Sequence, residues 1–208
     1  MNSQLPDRRR EPIQGLMLLA GIVALMWVIE VINSLDGQGL NADGIYPRNV
    51  DHLWGVITAP FLHASFPHLI DNTIPFVFMG VIIALRGAAR LALVTAIVIL
   101  IGGLGTWLIA PAHSVTVGAS GVVFGYATYL FSRGIFDRSW LEILVGIVVG
   151  VVWGGALISS LVPQYGISWQ GHLCGAIGGV AAAGMLARPR TRRSGPTTLT
   201  PATRRSTL

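Results

Sequence analysis

The 208-residue chain contains no lysine; all 14 of its basic residues are arginines. That absence excludes a Schiff-base lysine and the lysine of a phosphate-cradling P-loop. The single cysteine, Cys174, excludes an internal disulfide and a thiolate cluster for zinc or iron–sulfur. Charge of either sign is scarce. Only 11% of residues are charged, whereas water-soluble domains carry about 25%. No Asp, Glu or Arg occurs from Leu91 to Ser132, nor from Ile143 to Ala187. So little polar surface does not coat a soluble globule.

What the chain has instead is apolar length: 52% hydrophobic residues and a mean hydropathy of +0.66. A bilayer span needs roughly 20 predominantly apolar residues. Six candidate spans follow, at 13–32, 68–85, 91–110, 119–132, 140–162 and 168–187. The expected fold is an all-α, six-transmembrane-helix bundle over residues 13–187. A cytoplasmic segment 1–12 precedes it. A tail over 188–208, rich in Thr, Arg, Pro and Ser and without apolar period, is expected to be disordered and cytoplasmic. The first span follows Arg8, Arg9 and Arg10 as a signal peptide would, but Trp27 and Glu30 occupy the place of a cleavage site, so it reads as an uncleaved span. The fourth span, about 14 residues or roughly 21 Å of helix, is short for a crossing. Its outer end should start below the membrane surface, reached by a dipping segment at 111–118.

The arginines set the expected orientation. Arg8, Arg9, Arg10, Arg86, Arg90, Arg133, Arg138 and the six arginines from Arg188 to Arg205 all fall on one side of this threading. Arg48 alone falls on the other. The positive-inside rule then puts both termini in the cytoplasm. The same pattern explains a pI near 10.3 without a nucleic-acid partner. All-arginine usage fits a GC-rich bacterial genome, and the expected location is the plasma membrane. Nothing in the sequence sets an oligomeric state. The outer loop 33–67 is long and, with Leu53, Trp54, Val56, Ile57, Phe61 and Leu62, too apolar for a simple linker. It is expected to pack at the outer membrane interface.

Polar groups converge at one depth near the outer leaflet. Span two opens with His68 and Asn72, at i and i+4 on one helix face. Span four opens with Gly118-Ala119-Ser120-Gly121, and span six carries His172 in Gly171-His172-Leu173-Cys174-Gly175. Ionisable groups inside a membrane are costly and by default point to function. Ser120 is a hydroxyl nucleophile that needs a base, and His172 can serve. No carboxylate lies at this depth on spans four or six, which favours a Ser–His dyad over a triad. Oxyanion donors are available from the first N–H groups of span four, including Ala119, and from His68 and Asn72. Gly118 and Gly121 permit a tight turn and close approach at the serine. Gly175 and Gly179 give span six a small face beside His172. No metal, nucleotide or other cofactor is called for.

These residues resemble the rhomboid family of intramembrane serine proteases. The resemblance rests on Gly118-Ala119-Ser120-Gly121 as nucleophile motif, on Gly171-His172 with Gly175 and Gly179 as base helix, and on His63-Ala64-Ser65-Phe66-Pro67-His68-Leu69-Ile70-Asp71-Asn72 as oxyanion segment. It covers about residues 13–187. Three departures stand out. Trp54-Gly55 replaces the Trp-Arg pair of many members, Gly171 replaces Ala before the base, and Phe124 replaces a Tyr that would stack on the imidazole. The resemblance implies a serine endopeptidase acting on single-pass transmembrane substrates in the bilayer. They would enter sideways near spans two and five and be cut near their outer ends. The active site would open to the extracytoplasmic side.

Each residue has a plainer reading. A lone membrane serine usually bonds a backbone carbonyl, and His68 alone would be interfacial packing. His63 supports the loop. His52 and His113 are expected on the outer surface, Cys174 against a neighbouring helix, and Asp71 as a cap or facing water. Glu30 is expected to bond a neighbouring helix or lie near the outer interface. Two alternative functions remain: a catalytically inactive rhomboid-like binding module, and a small proton-coupled transporter using His68, Asp71 and His172. The first would be expected to have lost Ser120 or His172; the second would make Ser120 dispensable.

Overall fold

The computed structural model describes residues 10–187. Arg8, Arg9 and the tail 188–208, with its expected disorder, lie outside the described residues. Seven α-helices occur in that range: α1 (Arg10–Leu35), α2 (Gly55–Thr58), α3 (Phe66–Ala84), α4 (Ala88–Ile109), α5 (Ser120–Asp137), α6 (Trp140–Ser159) and α7 (Trp169–Met185). No strand longer than an isolated bridge is present among the described residues. The six long helices coincide with the six expected spans. Four of them, α1, α3, α4 and α6, are long and apolar enough to cross a membrane by length and composition.

α5 and α7 fall outside that set for different reasons. α7 has only 17 residues. α5 is longer than the sequence suggests, running 18 residues to Asp137 rather than ending at Ser132. Arg133, expected in a loop, lies inside the helix and pairs with Asp137 one turn on, Nε to Oδ2 at 3.0 Å, both side chains buried. An internally neutralised pair lets the helix run on into protein where a lone arginine would stop it. Arg138, at φ 50°, then ends the helix.

α5 is the hub of the bundle. It packs against α3, α4, α6 and α7, with the α5–α7 contact the most extensive. Tyr126 and Tyr129 on α5 are fully buried, beside Phe76 and Met79 of α3 and Leu91 and Val94 of α4. Apolar side chains such as Met17, Val28, Leu108, Val151 and Ile158 remain exposed on the outer helices. Such a surface suits lipid. α5 and α7 approach without intervening side chains, because a Cβ on Gly175 would overlap the Gly121 carbonyl and one on Gly179 the Gly125 carbonyl. Small-residue faces allow this backbone proximity.

The long loop between α1 and α3 folds back over the outer ends of the helices. Ile45 and Thr116 exchange both backbone hydrogen bonds in an isolated antiparallel bridge. The Arg48 guanidinium Nη1 donates to the carbonyls of Leu108 (2.9 Å) and Ala110 (2.8 Å), capping the end of α4. Val56 and Leu62 are buried, whereas Leu53, Trp54 and Ile57 are exposed, so the loop's apolar residues divide between the bundle and the outside. Gly55 explains the missing arginine. A Cβ there would overlap the Gly44 carbonyl, leaving no room for a side chain. Arg48 does the anchoring instead.

Candidate active site

Three helix starts fix the geometry. Ser65 caps α3, its side chain accepting from the His68 N–H at 3.3 Å, and Pro67 sits in the first turn, where it costs no hydrogen bond. The register puts His68, Asp71, Asn72 and Pro75 on one face. Ser168 caps α7 by accepting from the Gly171 N–H at 3.3 Å, setting His172 in the first turn and a half. Ser120 is the first residue of α5. Before it, Gly118 adopts φ +117°, which L-residues rarely hold, and turns the chain into the helix.

Ser120 and His172 meet. Oγ and Nε2 are 2.9 Å apart, and His172 Nδ1 lies 2.8 Å from the Ser160 carbonyl oxygen. A carbonyl only accepts, so Nδ1 carries the proton and Nε2 is free to accept from the serine hydroxyl. Ser160, the C-cap of α6, was missed by sequence reasoning. Its signal is a backbone atom at a helix end, which no side-chain pattern discloses. The Phe124 ring stacks on the imidazole, centroids 4.3 Å apart and planes 7° from parallel. His172 is 6% exposed.

His68 and Asn72 face the same spot from α3. His68 Nδ1 accepts from the Ala64 N–H at 3.4 Å, so Nε2 is its proton-bearing nitrogen. A Cβ on Gly118 would come within 2.8 Å of His68 Nε2 and 3.4 Å of Asn72 Nδ2. Asn72 is 6% exposed, and its Nδ2 has no hydrogen-bond partner among the described residues. Two donors therefore aim at one small space that only a glycine leaves open. The Ala119 N–H, an expected oxyanion donor, donates to His63 Nε2 at 3.4 Å. The Ser120 N–H, at the first position of α5, has no intrahelical acceptor.

His63 is fully buried, with its ring edge-on to His68 at 5.2 Å. Burial, with the neighbouring His68 second, pushes its pKa down to about 4. It is a neutral acceptor bracing the turn before Ser120. Its carbonyl accepts from Asn33 Nδ2 at 3.1 Å. Glu30, fully buried, accepts from Asn33 Nδ2 (3.5 Å) and Gln38 Nε2 (3.3 Å), so it serves its own helix end and loop rather than another helix. His52 packs between Tyr46 and Trp54. Cys174 lies against Gly105 of α4.

Ser120, His172, His68 and Asn72 all line one open cavity of about 880 Å³, together with Ser114–Val117 and residues near the α6–α7 turn. Long apolar helices around a cavity that holds these polar groups indicate a multi-pass membrane protein. A family model, the Rhomboid domain, matches residues 50–189. The chain belongs to the rhomboid family. An uncharacterised protein of Mycobacterium tuberculosis (strain H37Rv) is 42% identical over 196 residues, covering 90% of this chain and 81% of the relative. The putative rhomboid protease YdcA of Bacillus subtilis is 32% identical over 142 residues, covering 67% and 70%. Rhomboid protease GluP of the same organism is 27% identical over 144 residues, covering 66% of this chain and 27% of GluP.

Proposed function

We propose that this protein is an intramembrane serine endopeptidase that uses Ser120 as nucleophile and His172 as general base. The observation that carries the reading is the 2.9 Å Ser120–His172 contact, with the far side of the imidazole held by the Ser160 carbonyl. In the first half-reaction Ser120 Oγ attacks the scissile carbonyl while Nε2 takes its proton. Negative charge grows on the carbonyl oxygen, for which Asn72 Nδ2, His68 Nε2 and the Ser120 N–H supply donors. Nε2 then protonates the leaving amine, and water hydrolyses the acyl-enzyme by the same route in reverse. A backbone carbonyl replaces the carboxylate of a triad, orienting the ring without adding a buried charge. Gly118, Gly121, Phe124, Gly175 and Gly179 are support residues in this scheme.

All six long helices cross the membrane in this reading, with both termini in the cytoplasm and the cavity open to the extracytoplasmic side of the plasma membrane. α5 crosses packed among α3, α4, α6 and α7, and α7, only 17 residues long, crosses against α4 and α5. Substrates are single transmembrane helices entering between α3 and α6, where Phe78 and Trp153 are 6.4 Å apart. Their peptide bonds must leave helical geometry before attack, so cleavage falls near the outer end.

The test is purified protein with a transmembrane reporter and a fluorophosphonate probe. Wild type should cleave the reporter and be labelled at Ser120; Ser120→Ala and His172→Ala should do neither while remaining folded. Undiminished proteolysis by Ser120→Ala would remove the serine mechanism.

A further inference from the structure

We infer that Asp71 is a specificity determinant that selects substrates carrying an arginine or lysine beside the scissile bond. The inference rests on the protease reading and names the substrate class it serves. Asp71 is the single Asp, Glu, Arg or Lys among the residues lining the large cavity. It is exposed, and among the described residues no hydrogen bond or ion pair engages its carboxylate. The arginine on the same side of this threading, Arg48, is committed to the carbonyls of Leu108 and Ala110. Its neighbours in sequence outside the bundle are Asp36, Asp43 and Asp51. Among the described residues the Asp71 carboxylate has no hydrogen-bond or ion-pair partner; it acts electrostatically on the His68 imidazole, one turn back on α3.

Two further observations give this carboxylate a direction. Asp71 shares a helix face with His68, Asn72 and Pro75, all of which line the cavity. Asn72 is buried with an unpartnered Nδ2, so acceptors and donors side by side on this face are left for something that enters. A carboxylate on the wall of a cavity is a receptor for a cationic side chain with several donors. Side chains three apart on a helix stand about 5–6 Å from each other. At about 3.3 Å per extended residue, the favoured cation falls within about three residues of the bond that Ser120 attacks.

Apolar walls strengthen the effect, since charges lined by low-dielectric surfaces are less screened than open surface pairs. The determinant is tested with three transmembrane reporters, identical except for Arg, Gln or Glu placed in turn at each position within that reach. The readout is the ratio of kcat/KM for the Arg reporter to that for the Glu reporter, taken within each protein. At one or more positions wild type should give a ratio of about ten or more. The ratio should fall close to one in Asp71→Asn, persist in Asp71→Glu and invert in Asp71→Arg. Raising salt from about 50 mM to about 0.5 M should shrink it in wild type alone. Equal cleavage of all reporters by wild type, or an unchanged ratio in Asp71→Asn, overturns the inference and leaves the protease reading standing. Absence of Ser120-dependent cleavage of any reporter overturns both.

Discussion

At the scale of single residues, the site separates chemistry from support. Asn72 is almost completely buried with a donor that nothing among the described residues accepts. Leaving a buried amide N–H unpaired costs about 1–3 kcal/mol, so the arrangement is uneconomical unless a partner arrives. An oxyanion is such a partner, present only in the transition state. Asn72→Ala should therefore lower kcat by about 10²–10³ with little change in KM. His68→Ala should act in the same direction, and because both donors address one oxygen, the double variant should lose less than the product of the single losses. Steady-state kinetics on one reporter measures all three. An Asn72→Ala enzyme with unchanged kcat and raised KM would make Asn72 a substrate contact. Phe124 belongs to support: stacked at 4.3 Å, it holds the His172 ring plane without adding a polar atom.

At the scale of elements, the loop before α3 and the start of α5 are one unit joined through His63. Its buried ring must stay neutral to accept the Ala119 N–H. The pKa of about 4 in the folded protein lies below the ordinary histidine value of about 6.5. Between these values the unfolded chain binds a proton that the folded chain refuses, so stability falls as pH drops through that window. Above about 6.5 the two states bind protons alike at this site. The thermal midpoint in detergent should decline from pH 7 to pH 4.5, and His63→Gln should remove part of that slope while lowering the midpoint at pH 7. A slope identical in both proteins would mean that His63 takes up its proton in the fold. Sequence pattern reached the long helices because apolar length and arginine breaks are carried by side chains. It reached Ser120, His172, His68 and Asn72 because polar residues stand out in apolar runs. It stopped where backbone acts: the Ser160 carbonyl, the Gly44 carbonyl that forbids a side chain at residue 55, and the Ala119 N–H given to His63. It also ended α5 a turn early, because the Arg133–Asp137 pair neutralises itself only once folded.

At the scale of the whole molecule, composition and burial together decide which helices can cross the bilayer. α1, α3, α4 and α6 have the composition to cross alone, and α5 does not. Burial inside protein removes that requirement, because a helix sheathed by others need not be apolar towards lipid. Tyr126, Tyr129 and Arg133 of α5 are all buried, which is what a sheathed crossing demands. Direction comes from the arginines: Arg86, Arg90, Arg133 and Arg138 cluster at the ends of helices opposite to the Ser120 cavity, and Arg48 lies on the cavity side. Single cysteines placed in a Cys174→Ala background separate the possibilities. Cysteines replacing Asp36, His113 and Tyr165 should react with a membrane-impermeant maleimide on intact cells. Those replacing Ala89 and Arg138 should react only after permeabilisation. Residues 113 and 138 flank α5, so opposite accessibility of that pair is the specific signature of its crossing. Labelling of both from one side would make α5 a re-entrant element and leave five crossings. Complete reversal of the pattern would turn the Ser120 cavity towards the cytoplasm, and with it the face from which substrates are cut.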